Sequence, residues 1–191
     1  LVPVLRNVSF QGKVSGHQQV GGVAGIIGVD VDSLVADVDI SLIDKSSEVG
    51  GIAGYNYGSI RNSHSSGKVT VTGRDVHGVG GLVGENSKGS ISQCYSSMNV
   101  EGARSVGGLV GYNDGIIFAS YALGSVEMYE HDSGDDYLTA ANEAGGLVGC
   151  NHGKIYVSYA LGSVIGSEDV GGLVGDNDYG DWGLGIGDWG Y

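Results

Sequence analysis

The chain has 191 residues with 38 glycines and one proline, and nine basic against 22 acidic residues leave a formal charge of −13. Glycine at that level with so little proline excludes collagen and Pro/Ser linkers, and the charge repels phosphate backbones and anionic lipid, which excludes nucleic-acid binding. No apolar run approaches the ~20 residues of a membrane-crossing helix, so no membrane insertion is expected, and a single domain over residues 1–191 is the default.

The first element, Leu5 to Val14, reads L-R-N-V-S-F-Q-G-K-V and aligns without gaps on I-R-N-S-H-S-S-G-K-V at Ile60 to Val69. The chain therefore begins part-way through a repeat, with no N-terminal cap in view. Either it was cut from a longer array, or its bare first strand meets another chain. No charged-then-apolar leader opens it; if the protein is exported, its signal has been removed or lies outside these residues.

From Val20 onward a hexad of the form V-G-G-L-V-G begins at Val20, Val49, Val79, Val106, Ala144 and Val170, at intervals of 29, 30, 27, 38 and 26 residues. Periods of this size mark a solenoid. Each hexad leads through a turn such as Asn113-Asp114-Gly115 to an apolar anchor at Val31, Ile60, Ile91, Ile117 or Ile155, after 11, 11, 12, 11 and 11 residues. A second apolar position follows nine residues after each anchor, at Ile40, Val69, Val100, Val126 and Val164, as Val14 follows Leu5. The distance from there to the next hexad takes up the variation: 6, 9, 10, 6, 18 and 6 residues, counted from Val14.

Stacked strands require this division, because one residue gained or lost within a paired strand turns every later side chain to the wrong face. Insertions then collect at one corner. The fixed arcs are short and β-branched or aromatic, as in K-I-Y-V-S-Y-A from Lys154, and no segment carries a 3.6-residue apolar stripe. The predicted fold is all-β: a parallel β-helix, or β-solenoid, of about six to seven coils rising ~4.8 Å each, with a long corner-loop insertion. Hexad glycines are read as places where no Cβ fits, and the turn Asn and Gly as residues that take left-handed angles cheaply. Stacking aligns His64, Tyr95, Tyr121 and Tyr159 in one column and Ser63, Cys94, Ser120 and Ser158 in the next. Both are read as packing ladders. Cys94 and Cys150 fall at different places in the repeat and are read as unpaired packing residues.

The unit V-G-G-L-V-G-x-N-x-G-x-I-x-x-S-Y-A-x-G-x-V, complete from Val106 to Val126 and repeated from Ala144 to Val164, resembles the GLUG repeat. The resemblance extends over nearly the whole chain and is most specific at residues 79–175. It implies a β-helical segment of a bacterial surface or secreted protein, such as an adhesin or the stalk of an immunoglobulin A-cleaving metallopeptidase, outside any catalytic domain.

Catalytic signatures are missing: there is no H-E-x-x-H, no G-x-S-x-G and no phosphate loop. Gly185, Gly187 and Gly190 spell G-x-G-x-x-G with no helix to follow. His17, His64, His77, His131 and His152 lie in different coils without metal-ligand spacing, and Asp30, Asp32, Asp37 and Asp39 do not recur in later coils. A carbohydrate-active groove is the weaker alternative and no enzyme is expected. No cofactor is expected beyond Ca²⁺, for which the insertion at residues 127–143 is the candidate site: Glu130, Asp132, Asp135 and Asp136 offer oxygens, and Tyr129 and Tyr137 offer aromatic faces to a protein or surface glycan. The tail repeats G-D-W-G, and Trp182 and Trp189 are candidates for an end contact between chains. The leading functional expectation is an extracellular, noncatalytic structural and adhesive module. The alternatives are a filament subunit stacking through open ends, and a peptidase stalk.

Overall fold

The computed structural model describes residues 4–43, 48–72, 77–129 and 142–178. Among these every strand pairing is parallel, no helix occurs, and the chain winds through about five full turns of a β-solenoid. The coil has three walls. The first is six strands at the hexad starts, Val20–Gly21 through Val170–Gly171; the second is six strands from Ala24–Ile27 to Val174–Asp176; the third is a 13-stranded sheet built from the anchor arcs.

The register read from spacing holds residue for residue. Leu5, Val31, Ile60, Ile91, Ile117 and Ile155 form one column of paired residues. Val14, Ile40, Val69, Val100, Val126 and Val164 form a second, and the hexad starts a third. These columns fill the interior together with Ile52, Leu82, Leu109 and Leu147, and their middle members are completely buried. The last coil is less covered: Ile155, Val164 and Val174 are half-buried, and Leu161, Val170 and Leu173 are exposed.

The hexad glycines keep the coil thin. A Cβ on Gly108 would lie 2.2 Å from the carbonyl oxygen of Gly146 and 2.9 Å from the Ala122 methyl, closer than any side chain tolerates.

The turn asparagines differ from expectation. None of Asn56, Asn86, Asn113 and Asn151 has positive φ. Instead each side chain is buried, and each Nδ2 donates to the Oδ1 of the next coil's asparagine: Asn56 to Asn86 at 2.7 Å, Asn86 to Asn113 at 2.8 Å, Asn113 to Asn151 at 2.7 Å and Asn151 to Asn177 at 2.7 Å. An amide carries both donor and acceptor, so a stack of amides satisfies itself in a place water cannot reach. The one longer turn, Asn86 to Gly89, takes its extra residue as left-handed Lys88, with φ 60°.

One column of left-handed residues sits at a bend within the third wall. Asn7, Ser33, Asn62, Gln93, Ala119 and Val157, with φ between 47° and 57°, occupy equivalent places in successive coils. This conformation is costly for alanine and more so for β-branched valine. The adjoining small column explains how it is held. Ser120 Oγ accepts from the backbone N–H of Cys94 at 3.2 Å and donates to the Phe118 carbonyl at 2.9 Å, and Ser63 and Ser158 make equivalent bonds. A hydroxyl thus stands in where the bend interrupts the backbone ladder. Cys94 takes the same place, its Sγ donating to the Ser92 carbonyl at 3.2 Å, and burial pushes its thiol up to about 12. Both cysteines are free and buried, as read from the sequence.

Candidate functional site

The described ends of the long insertion, residues 127–129 and 142–143, lie between the second apolar column and the next hexad, and both are hydrogen-bonded to neighbouring coils. At the outgoing foot the Tyr129 N–H donates to the Gly102 carbonyl at 2.9 Å, and its hydroxyl donates to Glu101 Oε2 at 3.0 Å. Burial and that bond push the Tyr129 phenol up to about 12. Glu101 also accepts from Thr70 at 3.2 Å and pairs with Lys68, whose hydrogen bond holds the carboxyl below its usual range. At the returning foot Asn142 Nδ2 donates to Glu168 at 3.1 Å, Ser105 Oγ donates to Glu143 Oε2 at 2.7 Å, and Val106 N–H donates to the Glu143 carbonyl at 2.8 Å. Tyr129 is therefore a hydrogen-bonded foot of the loop. Glu130, Asp132, Asp135, Asp136 and Tyr137 lie outside the described residues, as do Trp182 and Trp189.

The aromatic column forms as expected. The rings of His64, Tyr95, Tyr121 and Tyr159 stack at centroid distances of 4.7, 5.1 and 4.9 Å, with planes within 4° of parallel. Both faces of Tyr95 and Tyr121 are spent on neighbouring rings, which leaves their edges rather than flat platforms for a sugar.

A different column, on the outer side of the second wall, runs Ile26, Tyr55, Glu85, Tyr112, Cys150 and Asp176. Glu85 is pushed up to about 7 by burial and then by the charges of Glu48 and Asp114, and among the described residues Glu48 Oε2 is buried without a hydrogen-bond partner.

At the end of this column Cys150, His152 and Asp176 bring sulfur, nitrogen and oxygen within 4.8 Å of one another. Cys150 Sγ lies 3.5 Å from His152 Nε2 and 4.0 Å from Asp176 Oδ2. On the other side of the ring, Nδ1 lies 2.6 Å from the Tyr112 hydroxyl and 3.8 Å from Asp114 Oδ1. Burial pushes the Cys150 thiol up to about 12, and the charges of Glu143, Asp176, Asp114 and Asp178 push in the same direction. It is a protonated thiol at neutral pH, without the depressed pKa of an activated nucleophile. His152 is part-buried and clustered. Spacing within one coil could not reveal this, but Cys150 and Asp176 are 26 residues apart, the same interval that separates the hexads at Ala144 and Val170. Searching for ligands one repeat apart would have found them.

The family comparison follows the coils. The model of the GLUG motif matches residues 46–72 and 75–101. Both segments are GLUG repeats. The coils that follow, Val106–Val126 and Ala144–Val164, lie outside the matched residues and pair with the second segment in register. One relative, from Evansella cellulosilytica and called a Gly-rich membrane protein, is 41% identical over 81 residues, which are 39% of this chain and 9% of that protein. The chain thus spans a small part of that relative's length. No solved structure matches. Among the described residues no helix is long and apolar enough to cross a membrane.

Proposed function

We propose that this GLUG-repeat chain is a noncatalytic structural and adhesive module of an extracellular, cell-surface or secreted protein: a stiff spacer that presents its corner loop, residues 127–143, to a partner protein or surface glycan. The observation that carries this reading is the pinning of both loop feet to a wall in unbroken register. A loop whose ends are held loses less conformational entropy when it docks than one on a mobile base. The relative's description as a membrane protein supports a place at the cell envelope. The test compares the labelled full chain with a variant lacking residues 130–141 on a panel of surface glycans and host surface proteins. Loss of binding with an unchanged melting temperature supports the reading; binding that survives the deletion overturns it.

A second reading is end-to-end self-association. Leu161 is 72% exposed, and Val170 and Leu173 are exposed with it on the last described coil, apolar surface that a second chain could cover. Sedimentation that shifts to larger species with concentration supports stacking, and a single monomeric species at high concentration excludes it.

A further inference from the structure

Repetition does not account for the Cys150–His152–Asp176 cluster. In the asparagine ladder one residue type recurs, whereas the outward column reads Ile26, Tyr55, Glu85 and Tyr112 before sulfur and carboxylate donors meet at its last two positions. Asp176 Oδ2 lies 4.0 Å from the sulfur, and Asp114 Oδ1 lies 3.8 Å from the far nitrogen of the His152 ring. A cation is what balances such a concentration of negative groups.

We propose that Cys150, His152 and Asp176 bind one borderline-soft divalent cation of the Zn²⁺ type between the last two described coils, with a fourth coordination position left to water or to a donor from another molecule. Tetrahedral Zn²⁺, with bonds of ~2.3 Å to sulfur and ~2.0 Å to nitrogen, sets those two atoms ~3.5 Å apart. Cys150 Sγ and His152 Nε2 are separated by 3.5 Å. A hard cation such as Ca²⁺ takes about six to eight oxygens and has no use for a thiol and an imidazole. On binding, the thiol releases its proton to solvent and the thiolate lone pair makes the metal bond. Metal on Nε2 places the imidazole proton on Nδ1, where it donates to the Tyr112 hydroxyl at 2.6 Å. Tyr112 is thus a positioning residue that orients the ring. Cys150 belongs to Val148–Asn151 and Asp176 to Val174–Asp176, so the ion clamps the least buried coil to its neighbour.

Co²⁺ titrated into the full chain under a thiol-free reductant tests this. One Co²⁺ per chain is expected, with tetrahedral d–d absorption and a thiolate-to-cobalt charge-transfer band, displaced by Zn²⁺ and not by Ca²⁺. Cys150→Ala should abolish the charge-transfer band. His152→Gln and Asp176→Asn should weaken binding at least ~100-fold, and Tyr112→Phe about 10-fold with the band retained. Cys94→Ala should change none of this. Zn²⁺ should raise the melting temperature of the native chain and not that of the His152→Gln variant. His152 is only part-buried, so its variant decides the matter if Cys150→Ala fails to fold. A chain that takes up no Co²⁺, a band that survives Cys150→Ala, or undiminished uptake by His152→Gln overturns the proposal.

Discussion

Two parts of the same coil obey opposite rules. Between an anchor and its second apolar position the distance is nine residues in every coil, while from there to the next hexad it ranges from 6 to 18. The first stretch lies in the wall, where Ile60, Ile91, Ile117 and their partners must face inward together. The second lies on a corner, where added residues change no neighbour's parity. Tolerance to length change is thus a property of position in the coil.

The sharpest way to break this contrast is to insert one alanine after Ile91. Every following side chain in that arc turns over, and loss of the cooperative thermal transition is expected; a normal melt would end the register account. Ile117→Ala leaves parity intact but opens a cavity in a completely buried column, and should cost about 3–4 kcal/mol in urea denaturation. Asn113→Ala removes both of its ladder bonds and strands the amides of Asn86 and Asn151, for a cost of about 2–3 kcal/mol.

Glu85→Gln probes the acidic column in the opposite direction. Glu85 titrates at about 7 in the folded chain against an ordinary 4.5, so the folded state keeps a proton that the unfolded state gives up. Its contribution is complete below about 4.5 and is lost as pH rises through 7. The variant should flatten melting temperature against pH across that window and be more stable than the native chain at pH 8, by about 2 kcal/mol once solvent screening is allowed for. The smallest effect belongs to the corner. Removing residues 130–141 should change stability by less than about 1 kcal/mol, since loop-closure entropy varies slowly with length, and a large loss would show that the loop is part of the fold.

The legible features were those governed by count. Columns such as Ile91–Ile117–Ile155 and Tyr95–Tyr121–Tyr159 followed from intervals alone. The left-handed bend was hidden because its occupants, among them Gln93, Ala119 and Val157, have no common chemistry; the neighbouring serine hydroxyls and the stack impose the angle. Asn113 was visible as a residue but assigned the wrong task, since a turn asparagine and a ladder asparagine look alike until burial is known.

The amino-acid order by itself determined the β-solenoid, its register and the corner that accepts insertions, because parallel stacking converts equal spacing into vertical alignment. Only the tertiary structure decided which polar side chains turn toward one another across coils. It turned Asn113 inward to bond its like above and below, and it set Asp176 over Cys150 beside the His152 ring. Contact between residues a full repeat apart depends on the rise and closure of the coil, which spacing implies only in outline.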